Sequence, residues 1–247
     1  MKFQDKVVIV TGAASGIGDA TALEFVKEGA KVVIADLSEK GKVFSDELNA
    51  NGYDTIFVKV DAANEDEVKN LVSETVKKYG KLDVMLANAG INIETNVHEL
   101  DFAKWKKVID VNLTSVYLSN KYAIEQFQKQ GTGGAIVNTG SIHSLVARDD
   151  LASYSAAMDS LKTLTQKVAA RYSKDGIRAN AVCPIYIQTP LINTLSQGVT
   201  NGLVGLHLSN RLANPVEVAR TVLFLASDDV AFISGVSLPV DGGYIAV

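Results

Sequence analysis

The sequence predicts an α/β domain built on a parallel sheet of about seven strands, with helices on both faces. Three observations carry this expectation. Short, β-branched apolar runs alternate with longer helical patterns along the whole chain. Those runs, such as VVIVT at 7–11, are apolar throughout rather than alternating, as strands buried on both faces should be. The 247 residues contain no internal repeat, low-complexity stretch or linker, and the length suits one large domain.

In chain order, strands are expected at 6–11, 31–36, 55–61, 84–88, 135–139, 178–182 and 237–240. Helices are expected at 17–28, 38–50, 64–79, 102–130, 153–173 and 215–226. Asn64 is the expected cap of the third helix, because it precedes an acidic first turn of Glu65, Asp66 and Glu67. Residues 189–214 form one long irregular region, a length that suggests a functional lid rather than a connection. The region is apolar, with Leu191, Ile192, Leu195, Val199, Leu203 and Leu206, and is punctuated by Gly198, Gly202 and Gly205. That pattern suits a loop closing over a hydrophobic substrate and equally an amphipathic helix packing on the domain.

Composition narrows the function classes. A net charge of −4 and a pI near 5.4 give no electrostatic reason to expect nucleic acid or an anionic membrane as partner. One cysteine, Cys183, excludes an intrachain disulfide and fits a reducing compartment. Three scattered histidines and that thiol lack metal-ligand spacing. The start, MKFQDKVVIV, has neither a signal peptide's apolar core nor its cleavage site, so a cytoplasmic location is expected.

The first strand runs into Thr11-Gly12-Ala13-Ala14-Ser15-Gly16-Ile17-Gly18 and then directly into a helix. Glycines at such a turn let backbone approach a pyrophosphate, and the helix start supplies oriented N–H donors. The spacing is G-x-x-x-G-x-G; alone it would also suit a tight strand-to-helix turn, and the strand-before, helix-after context favours the dinucleotide. Asp36 ends the second strand, about where an acidic side chain meets the adenosine ribose hydroxyls. A carboxylate there repels a 2′-phosphate, and neither Ala14 nor Ser15 offers a cation, so NAD(H) is expected over NADP(H). Asp61, after the third strand, suits the adenine edge and an ordinary loop position equally well.

Further along, SIHSLVARDDLASYSAAM at 141–158 gathers a hydroxyl (Ser141), an imidazole (His143) and a phenol (Tyr154). With TGAASGIG at 11–18, Asp36, Asp61, the Asn88-Ala89-Gly90 triplet, VNLTSVY around Asn112, CPIYIQTP at 183–190 and VDGG at 240–243, the chain resembles a classical short-chain dehydrogenase/reductase over almost its full length. That resemblance implies a Rossmann-type, doubly wound sheet in strand order 3-2-1-4-5-6-7 and a homotetramer. It implies hydride transfer between a nicotinamide cofactor and an alcohol/ketone pair. By it, Tyr154 is the general acid/base, Ser141 hydrogen-bonds the reacting oxygen, and Asn112 holds a water of the proton relay. Gly12, Ser15, Gly16, Ile17, Gly18, Asp36, Asp61, Asn88, Ala89, Gly90, Tyr154, Ile187 and Thr189 bind cofactor; His143, Ile185 and Tyr186 border the substrate.

Two positions depart from the family. Met158 stands four residues after Tyr154, on the same helix face, where the family has a lysine. That lysine hydrogen-bonds the nicotinamide ribose and its charge depresses the tyrosine pKa; methionine does neither. The phenol should then stay near its ordinary value of about 10, so ketone reduction suffers less than alcohol oxidation. Lys162 lies roughly 12 Å further along the axis, too far to substitute; His143 is better placed, more as a substrate contact than as a replacement base. Ile185 stands where the family has glycine, and is expected to narrow the cofactor site, reshape the pocket or demand a different backbone angle. The sequence leaves two functions open. One is an attenuated or repurposed oxidoreductase acting on a hydrophobic ketone, or on another C=X bond such as an imine. The other is a catalytically disabled or engineered dinucleotide-binding protein.

Overall fold

The structure, a computed structural model, describes residues 1–146, 151–189, 192 and 196–246. Seven strands, β1 (Val7–Thr11), β2 (Lys31–Asp36), β3 (Thr55–Lys59), β4 (Val84–Ala87), β5 (Gly134–Thr139), β6 (Ile177–Pro184) and β7 (Ser237–Val240), pair in parallel in the order β3-β2-β1-β4-β5-β6-β7. The helices are α1 (Gly16–Lys27), α2 (Lys40–Ala50), α3 (Glu65–Tyr79), α4 (Phe102–Ile109), α5 (Ser115–Gln130), α6 (Ala152–Tyr172), α7 (Gln197–Gly205) and α8 (Pro215–Ala226). Among the described residues no helix is long and apolar enough to cross a membrane.

All five β1 residues are buried, because alternate side chains serve opposite layers. Val8 and Val10 join Phe25 and Val222 on the face covered by α1 and α8; Ile9 joins Leu71, Phe127 and Ile136 on the face covered by α3 and α5. Asn64 caps α3 as expected, its side chain accepting from the Asp66 and Glu67 amides. The strand order reverses between β1 and β4, and such a switch point opens a crevice at the carboxyl ends of the strands.

Two elements differ from expectation. The helix over 102–130 is one rod, but Asp110–Thr114 widens into a π turn between α4 and α5. Hydrophobic periodicity cannot register a single widened turn, yet it is what carries Asn112 inward. The region 189–214 is not wholly irregular: Ser196 caps α7, with its hydroxyl accepting from Val199 N. No residue of α7 is fully buried, and its apolar Leu203 and Val204 are half-buried. Pro190, Leu191 and Leu195 lie outside the described residues.

One joint holds the crevice open. Thr11, at the end of β1, accepts hydrogen bonds at Oγ1 from the Asn88 amide (2.9 Å) and the Ala89 amide (3.2 Å), and donates to the Leu86 carbonyl (3.3 Å). Asn88 answers with Nδ2 on the carbonyls of Thr11 (3.1 Å) and Gly12 (3.2 Å), and its Oδ1 accepts from Thr139 Oγ1 on β5 (3.2 Å). Thr11→Val keeps the shape but strands two backbone donors, each costing about 1–3 kcal/mol if unpaired. Denaturant titration should therefore show a loss of at least about 2 kcal/mol with an unchanged m-value.

Candidate active site

Most groups the sequence nominates for cofactor contact lie at the carboxyl ends of β1, β2, β3, β4 and β6 or in the turns that follow them, and Tyr154 lies in α6. Gly12 (φ 65°) and Gly16 (φ 68°) adopt left-handed backbone that glycine takes without strain. A Cβ at Gly12 would lie 2.8 Å from Ala89 Cα, and one at Gly18 would strike the Gly12 carbonyl, so β4, the loop and α1 meet in direct backbone contact. Ser15 precedes α1 in extended geometry without capping it through its side chain, which leaves the first amides of the helix directed at whatever occupies the crevice. Ile17 packs inward against the core, and Gly16 faces Thr189, whose Cγ2 would be 3.4 Å from an added Cβ.

Asp36 closes one end. Its Oδ2 accepts from Ala14 N (2.9 Å) and its Oδ1 from Ser38 N (2.8 Å), which fixes the carboxylate beside the glycine loop. An ionised carboxylate has about four acceptor positions, so capacity remains for ribose hydroxyls. Asp61 lies two residues beyond the end of β3; its Oδ1 accepts from Ala63 N (2.9 Å) and its amide donates to Glu67 (2.7 Å). These residues fit a dinucleotide: a glycine cradle without room for side chains, open helix amides and a fixed carboxylate.

The groups nominated for proton transfer gather at the ends of β5 and β6 and the start of α6. Ser141 follows β5, is almost fully buried, and exchanges hydrogen bonds with the short turn after it. Its Oγ accepts from His143 N (3.2 Å), while Ser144 Oγ accepts from Ser141 N (3.3 Å). Because that Oγ accepts, its own hydrogen is left to donate. Tyr154 projects from the first turn of α6. Loss of water on burial raises its pKa above the usual 10; the Ser141 hydroxyl partly offsets this, and the Cys183 and Tyr186 groups push it up further. Cys183, fully buried behind Ser141, has a thiol pushed up to about 11 by the same desolvation, so it is neutral and inert near pH 7. The His143 ring meets Tyr154 edge-on, centroids 6.3 Å apart at 74°.

Met158 is 3% exposed and forms an apolar wall with Ala87, Val116 and Leu161, against which Leu113 and Tyr154 pack. Among the described residues no cation acts on the phenol; the charge of Lys162 is felt at Cys183 instead. Ile185 continues from β6, its amide reaching the Val240 carbonyl at 3.4 Å. Among the described non-glycine residues only Asp5 and Asn210 have positive φ, so Ile185 sits in ordinary backbone without the strain its substitution for glycine suggests. Ile187 is buried and bridges to Ala213, and Thr189 N donates to the Ile187 carbonyl (2.7 Å). Asn112 clamps the turn after β4: Nδ2 donates to the carbonyls of Ile91 and Val108 (both 2.9 Å) and Oδ1 accepts from Ile91 N (3.0 Å). An added Cβ at Gly90 would lie 2.8 Å from that Oδ1.

The family model described as enoyl-(acyl carrier protein) reductase matches residues 12–245. The chain belongs to the short-chain dehydrogenase/reductase family. It is 43% identical to cis-4-hydroxycyclohexanecarboxylate dehydrogenase of Sinomonas cyclohexanicum over 99% of this chain and 98% of that one. It is 40% identical to cyclohexanol dehydrogenase of Acinetobacter sp. (strain SE19), covering 98% and 96% of the two chains. Among solved structures, levodione reductase superimposes with a TM-score of 0.95 at 31% identity, covering 99% of each chain. A short-chain type dehydrogenase/reductase from Mycobacterium marinum gives 0.94 at 26% identity, covering 100% and 98%. This short-chain dehydrogenase/reductase is accordingly an oxidoreductase that works with a nicotinamide cofactor.

Sequence reasoning missed the residues that build the site from behind: Thr11, Thr139, Ser144 and the Ile91 backbone. Short hydroxyl residues at strand ends were the available signal, but no spacing tells which of them bridge. The raised Tyr154 pKa gives a direct check. In an ultraviolet pH titration, the tyrosinate signal lost in Tyr154→Phe should belong to a group ionising above the ordinary value of about 10.

Proposed function

We propose that this protein is an NADH-dependent short-chain dehydrogenase/reductase that interconverts hydrophobic, ring-borne secondary alcohols and their ketones, working better as a reductase than as an oxidase. The observation carrying this reading is the Ser141–Tyr154 pair set against the Met158 wall. Preference for NADH over NADPH rests on Asp36, whose carboxylate is held beside the glycine loop. The ring-borne substrate class rests on the cyclohexanol and hydroxycyclohexanecarboxylate dehydrogenases to which the chain is similar.

A bound nicotinamide would supply the hydride for the carbonyl carbon in the reductive direction. The protein's share is at the oxygen. Ser141 donates its hydroxyl hydrogen to that oxygen, its own Oγ already steadied by the His143 amide. Tyr154, kept protonated by its apolar surroundings, gives up the proton that completes the alcohol. Asn112 holds the 88–91 turn against the helix beneath, and the 189–214 region acts as the lid that excludes water. The reverse reaction needs a deprotonated phenol, which the missing cation and the burial both oppose. The groove between α5 and α6, about 440 Å³ and lined by Tyr117, Ile124 and Leu164, supports a homotetramer assembled on those helices. The single buried thiol supports a cytoplasmic setting.

The second reading, a cofactor-binding protein without turnover, is favoured by one feature only, the methionine at 158. Cyclohexanone-type ketones with NADH, assayed beside Met158→Lys, separate the two. The expected result is measurable reduction in the native protein and a gain of about 10²–10⁴ in alcohol oxidation near neutral pH in Met158→Lys, with a smaller gain in reduction. NADH binding without turnover in either protein would overturn the enzyme reading. NADPH binding tighter than NADH would overturn the role given to Asp36.

A further inference from the structure

Where α7 ends, the chain dives into the domain at His207, which is 4% exposed although no residue of α7 itself is buried. The imidazole Nδ1 stands 2.9 Å from the Leu203 carbonyl oxygen. A carbonyl only accepts, so Nδ1 is the donor in this contact. His207 thereby ties off the last turn of α7, where carbonyls run out of helical partners.

The same ring reaches a residue nominated for the substrate pocket. It meets Tyr186 edge-on, centroids 6.2 Å apart at 72°. On another side it lies against the turn after β7: a Cβ at Gly242 would stand 3.6 Å from His207 Cδ2, and Ser209 N donates to the Gly242 carbonyl (3.1 Å). Tyr186 in turn is near enough to Tyr154 for its phenol to push the Tyr154 pKa upward. Contacts therefore run from α7 through His207 to Tyr186, whose phenol bears on Tyr154 electrostatically.

The choice of imidazole here is costly. Nε2 is buried and has no protein partner among the described residues, and an unpaired buried ring nitrogen is destabilising. Phenylalanine would supply the same edge-on ring without that cost. What it cannot supply is the Nδ1–H on Leu203.

We propose that His207 is a positioning residue that latches α7 to Tyr186, so that the placement of the lid helix sets where Tyr186 stands against the substrate. The inference rests on reading 189–214 as a lid and deepens it by naming the side chain that transmits its position. Two substitutions divide the function: His207→Phe keeps the ring and loses the bond to Leu203, whereas His207→Asn keeps an amide donor and loses the ring.

The test uses the full chain with NADH, a fluorotyrosine label at Tyr186, and hydrogen exchange over 197–206. His207→Phe should speed exchange of the last α7 amides about tenfold while the fluorine resonance stays close to native. His207→Asn should retain exchange protection and shift the fluorine resonance. Each should raise the ketone KM about tenfold with kcat and NADH affinity unchanged, a split that general destabilisation does not produce. Native exchange and native fluorine shift in both variants would overturn the latch, as would equal loss of kcat, NADH affinity and thermal stability. Absence of turnover in the native protein would count against the enzyme reading alone, because exchange and fluorine shift decide the latch without it.

Discussion

The hydrogen-bonded joint between Thr11 and Asn88 is the constraint on which the site depends. Parallel strands end in unpaired backbone, and at a switch point two neighbouring strands send their chains to opposite faces of the sheet. Left alone, those ends would splay and carry buried, unsatisfied amides. Thr11 Oγ1 satisfies the two amides of the β4 turn, and the Asn88 side chain satisfies the two carbonyls of the β1 turn. The glycine loop is thus fixed from below by hydrogen bonds while its upper surface stays free. Thr139 extends the joint to β5, which places Ser141 in the same rigid frame as the cofactor loop.

On that frame the reaction centre is tuned by subtraction. The partly buried Tyr154 phenol has its pKa raised by lost hydration, no cation among the described residues acts on it, and Met158 contributes apolar surface beside it. The Ser141 hydroxyl opposes the shift but does not reverse it. A proton donor needs a proton to give, whereas a base needs to have lost one, so on the proposed role of Tyr154 the same environment would serve reduction and handicap oxidation. Ile185 fits this picture as a change of shape rather than of backbone, since its conformation is one any residue adopts.

Much of this was legible in the sequence. The continuous apolar runs predicted the strands, and the glycine spacing predicted the strand-to-helix turn beside which Asp36 is held, because both follow from local pattern. Residues that act by contact at long sequence separation were not legible. Thr11 and Asn88 are 77 positions apart, and nothing in either segment marks the other. The π turn that aims Asn112 alters one turn of a long periodic helix, too little to disturb its pattern. His207 lies in a segment dominated by apolar residues, and its burial and its contact with Tyr186 arise only in the fold.

The central claim is that the Tyr154 phenol stays protonated at the pH where the protein works. Parallel pH–rate profiles of ketone reduction and alcohol oxidation on the native protein test it most directly. Reduction should be insensitive to pH across neutrality, and oxidation should climb steadily with pH to beyond about 10. Oxidation that levels off near neutral pH would contradict it, because that would require a phenol, or another base, already ionised there.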